Sequence, residues 1–209
     1  MGQDTVPMSA NAMLTLSLAV IVYAVIHSLL ASLTVKAWVR ARFGPIADRW
    51  YRITFNLLAL VFWLPVSYLL RILPDQMLYQ ISAPWIFLAM GGQVFGGILV
   101  LVGLLQTDIW HFLGFRQLTT PDVDAETPLT IRGLYRWVRH PLYSGSFLII
   151  WLNPVMTRNL LVLTFWLSVY LIVGAKLEER RLVHAFGDAY RQYQQRVPMF
   201  LPRLVNRER

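Results

Sequence analysis

Apolar positions along this chain come in long unbroken runs, not in the alternating or 3.6-residue stripes of a soluble domain. Residues 12–33, 53–70 and 84–105 contain no Asp, Glu, Lys or Arg. A bilayer's hydrocarbon core of roughly 30 Å calls for about 20 apolar residues of helix, so these runs predict three membrane spans. Two further runs, 143–155 and 159–175, follow, with the Asn153-Pro154 break near the end of the first. At about 1.5 Å per residue the first reaches only roughly 20 Å, too short to cross comfortably, and the two predict a helical hairpin of unequal members.

The polar stretches sort differently. Residues 34–50 mix Lys, Arg, Trp and Phe around Gly44-Pro45, which predicts a short interfacial helix and then a turn into the second span. Residues 106–130 hold Pro121, Asp122, Asp124, Glu126 and Pro128 and predict a cytoplasmic loop without regular helix, in a position to serve as a lid. Residues 176–195 keep helical periodicity beyond the last apolar run. There Glu179, Leu182, Val183, Phe186, Tyr190 and Tyr193 fall on one face. Gly92 and Gly96, beside Gly91 and Gly97, allow close helix approach, either within the chain or between two copies. Without internal repeats, the chain reads as one membrane-embedded domain, 1–209: an N-terminal helical half (1–105), the loop (106–130) and a second half (131–209). The expected fold class is all-α, a polytopic bundle of about five transmembrane helices with a C-terminal hairpin and a cytoplasmic helix.

Composition agrees, with 56% hydrophobic residues and a mean hydropathy of +0.51. A net charge of +8 would suggest nucleic acid for a soluble protein, but the cations sort by side. Five lie between the first two spans (Lys36, Arg40, Arg42, Arg49, Arg52), four between the third and fourth (Arg116, Arg132, Arg136, Arg139) and eight after the last. Arg71 and Arg158 alone fall opposite. That is the positive-inside pattern, which predicts an outside N-terminus, a cytoplasmic C-terminus and contact with lipid headgroups, with no nucleic-acid partner. The segment ahead of the first run has no positive n-region, so no removable signal peptide is expected. Cysteine is absent, which excludes disulfides, thiolate metal sites and a cysteine nucleophile; no metal site is expected.

Two elements carry candidate chemistry. In GLYRWVRHPLY, Arg139 and His140 precede Pro141, a favoured first residue of a helix. Topology and helix initiation account for this tripeptide; alternatively, the positive helix end with Arg139 and His140 faces an anionic group such as a carboxylate. In LEERRLVHAFGDAYRQYQQRVP, the inward face pairs Glu179 with aromatic groups, or the segment is an amphipathic helix with solvated charges. His27 within the first span is either a polar group bonded inside the bundle or functional, since ionisable groups at membrane depth are costly.

Taken together, Gly133 to Tyr143, the run to Asn153, then Glu178-Glu179, Phe186-Gly187, Tyr190, Tyr193 and Val197-Pro198 resemble the C-terminal half of the isoprenylcysteine carboxyl methyltransferase superfamily, and also the membrane phospholipid N-methyltransferases. Ile26 to Ser32, Tyr51-Arg52 with Asn56, Gln106-Thr107-Asp108, and Phe112 to Gln117 resemble the bacterial branch with methanethiol S-methyltransferases and denitrification-associated membrane proteins. Phe115 stands where that branch has leucine. The resemblance implies a bacterial inner-membrane enzyme that moves a methyl group from S-adenosylmethionine (SAM) to a small or lipophilic acceptor, first of all a thiol, leaving S-adenosylhomocysteine. It implies a cofactor pocket of His140, Pro141, Tyr143, Glu178, Glu179, Arg180, Tyr190 and Tyr193. Glu178 or Glu179 would take the ribose or ammonium, Arg180 or Arg139 the carboxylate, and the tyrosines the adenine or sulfonium. His27, Arg116, Asn153 and Arg139 are the candidates for the reacting end. No GxGxxG run is present, which argues against a Rossmann-type site. The alternatives are an isoprenoid carboxyl or phospholipid/amine methyltransferase and, from another class, a haem-binding protein using His27, His111, His140 and His184 or a non-catalytic membrane accessory protein. Membrane lipid and a small lipophilic substrate are the expected partners; the sequence does not set the oligomeric state.

Overall fold

A computed structural model describes residues 5–119 and 129–203, with side chains from residue 10 onward. Among the described residues, four helices are long and apolar enough to cross a membrane, at Ala10–Leu30, Pro45–Ile72, Trp85–Gln106 and Arg158–Phe186. A fifth apolar helix, Pro141–Trp151, is shorter. At about 1.5 Å per residue it is some 16 Å long. The chain is a polytopic helical membrane protein.

In chain order the helices are α1 (Thr5–Leu30), α2 (Leu33–Phe43), α3 (Pro45–Ile72), α4 (Trp85–Gln106), α5 (Ile109–Leu113), α6 (Phe115–Thr119), α7 (Pro141–Trp151), α8 (Arg158–Phe186) and α9 (Asp188–Arg196), with strands β1 (Met77–Gln80) and β2 (Val155–Thr157). They form two compact units. The first comprises the described residues of Met1–Gln80, Trp110–Thr127 and Val155–Leu167; the second, those of Ile81–Ile109, Pro128–Pro154 and Ser168–Arg209.

In the first unit, the interfacial helix expected over 34–50 is α2. Ser32 caps it, accepting a hydrogen bond from Val35 N–H at 3.3 Å. Gly44, at φ +67, makes the turn that a side-chain-bearing residue resists, and Pro45 opens α3 as its first residue. The second span therefore begins as helix at Pro45, ahead of its apolar run. Leu16, Val20, Val66 and Leu163 form the buried core of this unit. The pairing of β1 with β2 is antiparallel, and it escaped the sequence reading because the partners are far apart in the chain.

The expectation of no regular helix over 106–130 is overturned for residues 109–119, where α5 and α6 form; residues 120–128 of that loop lie outside the described residues. Five-residue helices have little stability of their own, and side chains of α3 hold this pair. Arg52 Nε donates to Phe112 O at 3.0 Å, and Asn56 Nδ2 donates to Leu113 O at 3.0 Å.

In the second unit, α4 packs against α7 through its glycines. A Cβ on Gly96 would meet Gly145 O at 2.7 Å, whereas one on Gly91 or Gly97 would meet nothing within 4 Å. The small-residue face thus works within the chain. The second unit also corrects the cytoplasmic helix: the periodic segment is not continuous, because Gly187, at φ +56, separates α8 from α9.

Candidate functional site

The 3-10 turn Gly133–Arg136 delivers the chain to α7, and the end of α4 holds it: Gln106 Oε1 accepts from Leu134 N–H at 3.0 Å. Gly133, at φ +59, leaves the Gln106 side chain no room for a Cβ. Neither role was evident in the sequence, where Gln106 signalled itself only as part of Gln106-Thr107-Asp108.

At the N-terminus of α7, His140 occupies the cap position and Pro141 opens the helix. The extended segment after α9 runs beside this start. Arg139 N–H donates to Pro198 O at 2.9 Å, His140 N–H to Met199 O at 3.1 Å, and Ser144 Oγ to Phe200 O at 2.7 Å. The expectation that Arg139 and His140 face a carboxylate is met from inside the chain. Arg139 Nε donates to Glu179 Oε1 at 2.5 Å, and the same oxygen lies 3.2 Å from His140 Nε2. Gln194 Nε2 donates to Glu179 Oε2 at 2.9 Å. Arg139 Nη1 donates to Gln194 O at 2.9 Å and also to Val197 O. With both side chains about nine-tenths buried, this is an internal ion pair, and removing one partner of such a pair costs roughly 3–5 kcal/mol.

Glu178, one residue earlier, differs. Its side chain is 49% exposed. Oε2 accepts from the Tyr143 hydroxyl at 3.0 Å and lies 3.7 Å from His140 Nδ1. The Tyr143 and His140 rings stack at 5.3 Å with planes 7° apart, so one helical turn of α7 presents both groups to the α8 carboxylates. Adjacent carboxylates on one helix thus have separate positions: Glu179 is enclosed by Arg139 and Gln194, and Glu178 keeps acceptor capacity toward the outside.

Tyr190 is 1% exposed and Tyr193 is 9% exposed, so these rings are packing groups that fix α9 and offer no open face. Tyr193 donates its hydroxyl to Tyr135 O at 2.6 Å. Burial pushes the Tyr135 phenol up to about 12, with Glu178 adding to the shift, and the Tyr193 phenol also to about 12, against a lowering by Arg139. Burial, reinforced by Glu179, raises Tyr190 as well. All three stay neutral at physiological pH.

The remaining candidates are dispersed. Arg180 is exposed. Asn153 lies beyond the far end of α7, about 16 Å of helix from His140, and is no part of this cluster. His27 and Arg116 belong to the first unit. There His27 is flanked by Tyr23 and Phe55 at ring separations of 5.7 and 4.8 Å, and Arg116 sits exposed on α6.

A sequence profile described as phospholipid methyltransferase matches residues 92–189. Methanethiol S-methyltransferase 1 of Bradyrhizobium diazoefficiens is 34% identical over 211 residues, covering 96% of this chain and 70% of the relative. Methanethiol S-methyltransferase of Crocosphaera subtropica is 31% identical over 188 residues, covering 87% and 71%. Protein-S-isoprenylcysteine O-methyltransferase of Xenopus laevis is 28% identical, covering 73% and 51%. No solved structure gives a significant match. With its apolar helices and with identity of this extent, the chain belongs to the family of the methanethiol S-methyltransferases and is an integral-membrane methyltransferase.

Proposed function

We propose that this protein transfers a methyl group from SAM to a small thiol of the methanethiol class, with the donor held at the start of α7 and the end of α8. The observation that carries the reading is the division between the two carboxylates. Glu179 is neutralised by Arg139, while Glu178 is half-exposed and presents acceptor oxygens beside Tyr143 and His140. SAM supplies an electrophilic methyl on a positive sulfur and leaves as the neutral thioether S-adenosylhomocysteine. Its ribose hydroxyls and ammonium are donors, and Glu178 fits either. Tyr143 orients that carboxylate, and Glu179 holds His140 and Arg139 in place. The exposed Arg180 is then the better partner for the donor's carboxylate, because Arg139 is already engaged with Glu179 and two backbone carbonyls.

The acceptor's sulfur forms the new carbon–sulfur bond after its proton has left to solvent. A thiol with a pKa near 8.5 is only a few per cent thiolate at neutral pH. The carboxylates face a positively charged donor and are no base for that proton, so alignment carries most of the catalysis. Basic residues grouped before the second span, before α7 and after the last support a cytoplasmic donor site and an inner-membrane location with the N-terminus outside. In the haem alternative His140 would be a ligand, but its ring is 5% exposed and set between Glu178 and Glu179.

Calorimetric titration of the detergent-purified protein with S-adenosylhomocysteine tests the donor site, and methyl incorporation into methanethiol, longer thiols, amines and isoprenoid carboxylates tests the acceptor. Binding by wild type that weakens at least tenfold in Glu178→Gln is expected, with thiols as the best acceptors. Absence of binding by well-folded wild type would end the reading.

A further inference from the structure

The second unit also contains an apolar cavity of about 490 Å³ that methyl transfer to a small thiol leaves unused. Phe95 and Leu99 of α4, Leu134 and Trp137 ahead of α7, and Phe147 and Leu148 of α7 supply much of its wall, which residues 200–202 complete. At roughly 30 Å³ per molecule this is room for about sixteen waters. Such a wall offers them almost no partners. Its hydroxyl, Ser144 Oγ, already lies 2.7 Å from Phe200 O and 3.0 Å from His140 O. Spaces of this kind take hydrocarbon.

We propose that the cavity binds one acyl chain of an anionic phospholipid, whose phosphate is met by Arg136 and Arg203. Three observations favour that occupant. The cavity is partly walled by α4, a membrane span, so lipid chains are the hydrocarbon at hand. Trp137 and Leu201 of the same wall are 66% and 79% exposed, large apolar surfaces that need cover. Arg136 and Arg203 adjoin the wall residues Trp137 and Pro202 in the chain and are exposed, which adds charge complementary to a phosphate. A lipophilic methyl acceptor fits less well, because Glu178, Glu179 and Tyr143 are absent from the wall, which shares only Pro141 with the expected cofactor pocket.

The occupant bears on the polar cluster through the tail. Phe200 packs against His140 at 5.9 Å and against Phe147 at 5.3 Å between ring centres, and the residues just before it accept the Arg139 and His140 amides. A chain in the cavity backs the segment that positions both groups.

The test uses the full chain in neutral detergent, with an equal mixture of phosphatidylglycerol and phosphatidylcholine, read by native mass spectrometry. Phosphatidylglycerol should be retained at least tenfold over phosphatidylcholine, Leu148→Trp should lose it, and the double variant Arg136→Glu/Arg203→Glu should lose the preference. Because Leu148→Trp can fail to fold, wild type is also photolabelled with a mid-chain diazirine phosphatidylglycerol, which should mark peptides carrying residues 147–148 and 200–202. Equal retention of the two lipids, labelling elsewhere, or undiminished retention by folded Leu148→Trp overturns the proposal. So does displacement of the label by a long-chain thiol that is then methylated, or cross-linking of these residues to a second copy of the chain. Lipid retention and photolabelling do not depend on SAM binding, so the donor-site reading stands or falls separately.

Discussion

Two polar networks are built on α8, one near its first turn and one toward its last, and they differ in what they hold. In the first unit, the N–H of buried Asn159 donates to Asp75 Oδ1 at 3.0 Å, and its Nδ2 donates to Pro74 O at 3.2 Å. Asp75 Oδ1 accepts Gln76 N–H as well. That network is spent on the backbone of the turn between α3 and β1. In the second unit, Arg139, Glu179 and Gln194 close on one another and on tail carbonyls, yet Glu178 beside them stays half-exposed. The first network serves the backbone of one turn; the second sets a half-exposed carboxylate beside a phenol and an imidazole.

That difference is open to attack at four positions. Glu179→Ala should have the largest effect: it strands a buried guanidinium, destabilises by about 3–5 kcal/mol, and abolishes S-adenosylhomocysteine binding in thermal-melt and calorimetric measurements. Glu178→Gln should leave the melting temperature within a few degrees and weaken binding at least tenfold. Equal losses of stability in these two variants would erase the distinction between frame and site. Asn159→Ala should lower stability by about 1–3 kcal/mol, the cost of stranding buried partners, while the dissociation constant stays within twofold. Tyr143→Phe should be mildest, with binding about threefold weaker and stability nearly unchanged, since one neutral donor to a half-exposed carboxylate is worth about 1 kcal/mol. An effect of Tyr143→Phe as large as that of Glu178→Gln would make the phenol itself the binding group.

The spans were legible because lipid demands length and apolarity, which composition shows directly. What escaped was held by contacts between distant residues. The Pro- and Asp-rich stretch that follows residues 109–119 predicts loop for the whole segment, yet Arg52 and Asn56 of α3 keep α5 and α6 in place. The break at Gly187 lay inside a convincing periodic pattern, and only its positive φ reveals the turn. At the site, the residue types and their order were readable, down to the cation–histidine–proline start of α7. That Glu179 is the carboxylate facing inward was readable too, from the helical face it shares with Leu182, Val183 and Phe186; its partner Arg139 was not, because the two lie 40 positions apart. The burial of Tyr190 and Tyr193 was not readable either, because a motif shows residue types and not how tightly α9 packs.

The tail that accepts the Arg139 and His140 amides leaves the ribosome after every described helix, with residues 198–200 following α9. The backbone partners of the start of α7 are therefore synthesised after all the described helices. A nascent chain halted at the end of α9 would carry its helices and both carboxylates but lack the carbonyls that fix the start of α7. On the proposed function, a donor site at the start of α7 would be complete only once residues 198–200 have been made.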